Sequence, residues 1–89
     1  MSAPRIEQMR QRLTEALAPT EIEIIDESHL HAGHAGARNG LGHYALRIRT
    51  DAFQGKTLIQ RHRMVYAALG EMMQTDIHAL SIKALAPGE

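Results

Sequence analysis

The sequence predicts an α+β domain in which a three-stranded β-sheet is covered on one face by two helices. Two features lead to this class. Apolar residues recur at three- and four-residue steps in two segments, as in amphipathic helices, and alternate with polar residues in three others, as in half-buried strands. The order is helix, strand, strand, helix, strand, which makes two layers. The 89 residues fit one domain, placed at 1–89.

The first predicted helix ends before Pro19, because the residue preceding a proline disfavours the helical conformation. Ser2 and Pro4 suit its start. Its apolar stripe consists of Ile6, Met9, Leu13 and Leu17. Its polar face consists of Arg5, Gln8, Arg12 and Glu15, which we expect to be solvated.

The first two strands are predicted at 21–26 and 43–50, with the sequences EIEIID and HYALRIRT. In an antiparallel pair, Glu21 and Glu23 can lie across from Arg47 and Arg49, and such pairs contribute about 0.2–1 kcal/mol each. The inward face of the second strand should hold Tyr44, Leu46 and Ile48. Its outward face should hold His43, Ala45, Arg47 and Arg49. The connection at 27–42 is rich in glycine, and we expect it to be flexible.

The second helix is predicted from about 57 to 73, on the spacing of Leu58, His62, Val65, Leu69 and Met72. His62 then lies on the core face, and Arg61 and Arg63 lie on other faces. The last strand, IHALSIKAL, is predicted to place His78, Leu80, Ile82 and Ala84 on one face. The tail at 86–89 is expected to fray.

Composition argues against several kinds of function. Ten basic and ten acidic residues balance, whereas proteins dedicated to a polyanion usually carry an excess of Lys and Arg. An enzyme is not expected, because no nucleophile with a placed base is recognisable and so small a domain leaves little room for a deep pocket. No apolar run reaches membrane-spanning length and the start lacks a signal-peptide core, so we expect a cytoplasmic protein without membrane contact.

The segment HLHAGHAG at 29–36 raises the question of a metal site. Taken alone, His29, His31 and His34 could chelate a metal ion adventitiously, form a zinc site, or titrate in a solvated loop. Their spacing lacks the regularity of a structural zinc site. His78 could likewise be a strand-end residue whose ring nitrogens are satisfied within the protein. The residues by themselves leave these alternatives open.

Five stretches of the sequence resemble those of the BolA-like proteins and occur in the same order. They are DESHLHAGH, HY at the start of the second strand, FQGK, RHRMVY and IHALSIKALAP. The match extends from the first helix to the tail. The resemblance implies a class II KH-like fold, which agrees with the predicted order of elements. It also implies an adaptor in iron–sulfur and iron homeostasis, which pairs with a monothiol glutaredoxin and shares a [2Fe–2S] cluster with it.

By the same resemblance, His78 is the cluster ligand from the last strand. The family takes its second ligand, a His or a Cys, from the loop between the first two strands, where His31 is favoured and His34 is the alternative. The chain has no cysteine, so it cannot supply the thiolates that normally hold such a cluster. We therefore expect the isolated chain to bind none, with the sulfur ligands coming from a glutaredoxin cysteine and its glutathione.

Bacterial members of the family are also described as transcriptional regulators of cell shape and stress responses, so DNA is the alternative partner. Lys56, Arg61 and Arg63 would supply the contacts, and binding would be salt-sensitive. The Gly-x-x-Gly element that clamps nucleic acid in a KH domain occurs here as GHAG at 33–36, between two strands rather than two helices. The free chain is expected to be a monomer or a weak homodimer.

Overall fold

The computed structural model describes residues 2–28 and 42–89. The predicted connection at 27–42, with His29, His31 and His34, lies mostly outside these residues. The elements are α1 (Ser2–Leu17), β1 (Glu21–Asp26), β2 (Gly42–Arg49), a 3₁₀ turn (Asp51–Phe53), α2 (Leu58–Leu69), α3 (Met72–Thr75) and β3 (Ile77–Leu85). The α+β class and the order of the main elements are confirmed.

The sheet has the order β1-β2-β3, with β1 antiparallel and β3 parallel to the central strand. Glu21 lies opposite Arg49 and Glu23 opposite Arg47, so the predicted pairing is confirmed. The Glu21 carboxylate accepts hydrogen bonds from both arginines, at 2.8 Å from Arg47 and 3.1 Å from Arg49. These contacts lower the pKa of Glu21, first through the hydrogen bond from Arg47 and then through the charge of Arg49.

The core lies between the helices and one face of the sheet. The inward residues of β2, which are Tyr44, Leu46 and Ile48, are at most 2% exposed, as predicted. From α1, Met9, Leu13 and Leu17 pack against them, with Ile6 at the margin. The polar face of α1 is exposed at Gln8, Arg12 and Glu15, as predicted, and half-buried at Arg5. Arg12 also donates a 3.0 Å hydrogen bond to the carbonyl of Leu69.

Helix α2 differs from its prediction in where it ends. A capping box starts it: the Thr57 hydroxyl accepts from the Gln60 amide, and the Gln60 side chain accepts from the Thr57 amide. Its last helical residue is Leu69, because Gly70 adopts a positive φ of 56° and ends the helix. The predicted helix at 57–73 is therefore two helices, and Met72 begins α3.

The inward face of α2 also differs. Leu58 is 64% exposed, whereas Arg61 is 7% exposed and lies in line with Val65 and Leu69. His62, which is expected to face the core, is half-buried. The expectation that Leu58 also faces the core is wrong, and so is the expectation that Arg61 faces away from it. The reason is the tail, which brings Glu89 to the buried guanidinium of Arg61.

The tail at 86–89 is attached to the domain, contrary to the expectation that it frays. Ala86 is 1% exposed. Arg49 donates hydrogen bonds to the carbonyl of Ala86 at 3.0 Å and to that of Glu89 at 2.9 Å. Within the described part of the chain, no helix has the length and apolar character needed to cross a membrane.

Candidate metal centre

His78 occupies an irregular position at the start of β3. Gly42 pairs with Ile77, but the next residue of β2, His43, pairs with Ala79. His78 is thus the extra residue of a β-bulge, in which two residues of one strand oppose one residue of the other. The bulge shifts the alternation, so that Ile77 is buried while His78 and Ala79 are both exposed. The expectation that His78 shares a face with Leu80, Ile82 and Ala84 is therefore wrong.

His43, on the neighbouring strand, meets His78. The two imidazole rings have centroids 5.0 Å apart and planes inclined by 56°, within the range of favourable tilted ring contacts. The predicted place of His43, on the outer side of the sheet, agrees with this contact. The two histidines nevertheless differ in accessibility: His43 is 7% exposed and its Nε2 atom is buried, whereas His78 is exposed.

The backbone around His43 is held on both sides. Its amide donates a 3.1 Å hydrogen bond to the Ser28 hydroxyl, and its carbonyl accepts a 2.8 Å bond from the Glu27 amide. The Ser28 amide in turn donates to the Asp26 carboxylate at 2.8 Å. His43 is consequently fixed to the end of β1 as well as to β3.

A second set of contacts supports the same end of the sheet. The Gly42 amide donates a 2.9 Å hydrogen bond to the carbonyl of Asp76, just before β3 begins. Arg5 donates to the Asp76 carboxylate at 3.2 Å and to the Tyr44 hydroxyl at 3.3 Å. The hydrogen bond to Tyr44 is the largest influence that raises the pKa of Arg5, so the cation stays charged.

Gly42 is the residue that this packing requires. The Tyr44 ring lies over its Cα, and a Cβ there would approach Cζ of Tyr44 to 2.6 Å. Outside this contact, a groove of about 310 Å³ runs along the sheet beside His43. Its lining consists of Glu27, His43, Tyr44, Ala79, Leu80 and Ser81.

Among the described residues, His78 is suited to act as a ligand of a metal ion or an iron–sulfur cluster. The exposed His78 imidazole can offer a ring nitrogen, and neutral imidazole is an accepted ligand of zinc, copper and iron, including one iron of some [2Fe–2S] centres. The predicted loop ligands His31 and His34 lie outside the described residues. The neighbour that sequence reasoning missed is His43, because the contact depends on the parallel pairing of β2 with β3.

The predicted nucleic-acid contacts Lys56, Arg61 and Arg63 differ in their exposure. Lys56 and Arg63 are exposed. Arg61 is instead buried, and its guanidinium donates to the carbonyls of Lys56 at 3.0 Å and Ala84 at 3.1 Å as well as to Glu89. A hydrogen bond from Arg61 to Glu89 raises the pKa of the arginine. The described basic zone is thus smaller than the sequence predicts.

Comparison with known proteins agrees with the resemblance seen in the sequence. The family model described as BolA-like protein matches residues 13–89. SufE-like protein 1, chloroplastic/mitochondrial, of Arabidopsis thaliana is 45% identical over 86 residues, which are 91% of this chain and 23% of that protein. Protein BOLA1, chloroplastic, of the same plant is 41% identical over 88 residues, or 96% of this chain and 55% of that protein. The chain thus spans only part of the length of both relatives.

A bacterial relative and a solved structure support the same assignment. The DNA-binding transcriptional regulator BolA of Escherichia coli is 34% identical over 76 residues, which are 85% of this chain and 70% of that protein. The solved BolA domain of SufE1 from Arabidopsis thaliana superposes with a TM-score of 0.82 at 44% identity, covering 93% of this chain and 92% of that one. The chain belongs to the BolA-like family.

Proposed function

We propose that this chain is an adaptor that pairs with a monothiol glutaredoxin and shares a [2Fe–2S] cluster with it, in iron–sulfur and iron homeostasis. The observation that carries the proposal is the exposed imidazole of His78, presented by a β-bulge in a chain of the BolA-like family. A cytosolic location, where glutathione is available, is part of the proposal.

The proposed ligands divide between the two proteins. His78 supplies one imidazole, and His31, or His34 in its place, supplies the other. Since the sequence contains no cysteine, the thiolates come from the glutaredoxin and from glutathione. When bound, the cluster would supply a one-electron redox centre whose potential is raised by imidazole in place of thiolate ligands.

The division of ligands has a consequence for the free chain. With at most imidazole ligands of its own, it should hold no stable cluster, and binding should require both proteins. The chain's contribution is then to present His78 at a fixed place on a rigid sheet. Residues on strands are held more precisely than residues on loops, which suits them to this task.

The test is reconstitution of the cluster from iron, sulfide and glutathione with a monothiol glutaredoxin and this chain. Visible absorbance and circular dichroism should show a complex-specific cluster for the wild-type chain, and His78→Ala should abolish or alter that spectrum. His62→Ala is the matched control, since it removes a half-buried imidazole from α2. Unchanged spectra for His78→Ala would contradict the ligand assignment.

The loop ligand is identified by the same measurement. His31→Ala and His34→Ala are compared with wild type under identical conditions. We expect His31→Ala to change the spectrum and His34→Ala to leave it close to that of wild type. The reverse result would assign the second imidazole to His34, and two unchanged spectra would remove both from the site.

A DNA-binding regulator of stress responses and cell morphology is the second candidate function, favoured by the name of the Escherichia coli relative and by the exposed cations Lys56 and Arg63. If those residues contact phosphates, replacing either by Ala should lower the salt dependence of DNA binding by about one unit of slope. Fluorescence anisotropy with promoter and random duplexes at two salt concentrations measures this. Equal affinity for both duplexes would count against a sequence-specific regulator.

A further inference from the structure

We propose that His43 is a positioning residue for His78, whose ring it restricts to one orientation at the start of β3. The inference deepens the proposed function and rests on it, because it concerns the ligand that His78 provides there. His43 is assigned no bond to the cluster. Its contribution is a packed surface against which the His78 ring lies.

The need for such a surface follows from the bulge. His78 is the extra residue between two regular pairs, so no residue of β2 lies directly opposite it. A bulge disrupts the strand ladder locally and redirects the side chain. An exposed side chain there would ordinarily populate several of the three staggered χ1 wells. A ligand with one useful orientation loses affinity in proportion to the time that it spends in the others.

The structure around His43 makes it suitable for this task. Its ring is the neighbour of the His78 ring, with 5.0 Å between centroids and a tilt of 56°. Its own backbone is bonded to Ser28 and Glu27, so the surface that it presents is anchored to β1. The backbone that carries the ring is therefore held independently of His78, and the residue is only 7% exposed.

Burial distinguishes positioning from ligation. His43 is 7% exposed and its Nε2 atom is buried, so that nitrogen is not accessible to a group bound from solvent. His78 is exposed and occupies the bulge. The two imidazoles therefore have different tasks, although they lie side by side.

Removal of the His43 ring should have a modest effect on cluster retention. If removal of the His43 ring lets His78 sample three χ1 wells equally, the competent fraction falls to about one third, and cluster retention weakens by up to about threefold. Loss of a ligand would have a larger effect, of the kind expected for His78→Ala. The size of the change thus separates the two roles.

The first test uses the isolated chain, without partner or cluster. Selectively labelled histidine allows the χ1 populations of His78 to be measured by NMR from three-bond couplings. His43→Ala should convert one dominant rotamer into an averaged set, and His43→Phe, which keeps a ring at this position, should preserve it. An averaged set in the wild-type chain, or unchanged couplings in His43→Ala, would overturn the proposal.

The second test uses the reconstituted complex with glutaredoxin. Cluster loss to a chelator should be up to about threefold faster for His43→Ala than for wild type, and His43→Phe should restore the wild-type rate. Equal acceleration in both variants would show that His43 acts through a nitrogen atom, and no acceleration in either would show no role. Either result overturns the proposal.

A substitute variant and a separate readout keep the two proposals distinguishable. His43→Thr also removes the ring but favours strand structure, and it replaces His43→Ala if that variant folds poorly. If the wild-type chain assembles no cluster with glutaredoxin, the proposed function fails. The couplings of His78 in the isolated chain still decide whether His43 orients it.

Discussion

Arg61 and Glu89 form a two-pronged ion pair that joins α2 to the tail. Arg61 is 7% exposed, and its Nη2 lies 2.9 Å from Oε2 of the carboxylate while Nη1 contacts Oε1. The same carboxylate accepts a 2.9 Å hydrogen bond from the Ala86 amide. Paired forks of this kind are among the stronger charge-assisted contacts in proteins, and a buried arginine is costly without its partner.

This ion pair predicts how stability changes with pH. The hydrogen bond from Arg61, followed by that from Ala86, lowers the pKa of Glu89 from 4.5 to about 2. A carboxyl whose pKa is lower in the folded state stabilises the fold above its unfolded pKa, and this contribution is lost as pH falls through the folded one. Glu89→Gln should therefore unfold at lower urea concentration than wild type above pH 5, with the difference shrinking between pH 4.5 and pH 2. A difference that stays constant with pH would contradict this account.

The two leucines at opposite ends of α2 should differ in their contribution to stability. Leu69 is fully buried and Leu58 is 64% exposed. Leu69→Ala should lower the free energy of unfolding by about 2–5 kcal/mol, since it leaves a cavity in the core. Leu58→Ala should change it by no more than about 0.5 kcal/mol. Urea unfolding followed by circular dichroism measures both, and similar losses would mean that α2 is rotated from the orientation described.

Gly42 and Tyr44 should show strong coupling in a double-mutant cycle. A Cβ at position 42 would overlap the Tyr44 ring, so Gly42→Ala should cost about 1–3 kcal/mol of stability. Tyr44→Leu removes the overlapping atoms while keeping an apolar side chain. The double variant should thus be less destabilised than the sum of the single variants, by an interaction energy of at least about 0.5 kcal/mol. Additive losses would indicate that the glycine is not required by the ring.

Thr50 connects α1 to the 3₁₀ turn through a buried hydroxyl. Its Oγ1 donates a 2.6 Å hydrogen bond to the Leu17 carbonyl and accepts one from the Ala52 amide at 3.1 Å, and the residue is 1% exposed. Thr50→Val keeps the shape but leaves both backbone groups without this partner, which should cost about 1–3 kcal/mol. Thr50→Ser retains the hydroxyl and should lose less. Equal losses for Val and Ser would assign the effect to the missing methyl group.

The sheet could be predicted from the sequence because its signals are local. Alternation in EIEIID and HYALRIRT marks two strands, and the opposite charges of Glu21 and Arg49 fit their antiparallel register. The buried stripe of α1 follows from its spacing for the same reason. In these elements, periodicity and tertiary packing agree.

The features that could not be predicted depend on contacts distant in the sequence. The spacing of α2 favours Leu58 over Arg61 as an inward residue, and the opposite is true because Glu89, 28 residues further on, neutralises the arginine. Likewise, alternation in IHALSIKAL places His78 in phase with Leu80, and the bulge that breaks this phase appears only when β3 is paired with β2. The end of α2 is an exception, because Gly70 is itself a local signal that a helix ends there.

The parallel pairing of β2 with β3 also determines when in folding the two imidazoles meet. The antiparallel strands β1 and β2 are joined by one connection and can pair directly. Strand β3 pairs with β2 only after the chain has passed through α2 and α3. His43 and His78 are consequently adjacent in the complete domain and separate in any species that lacks a docked last strand. A cluster bound through His78, with the ring oriented by His43, would thereby favour the native state, and by mass action its binding would stabilise the fold against unfolding.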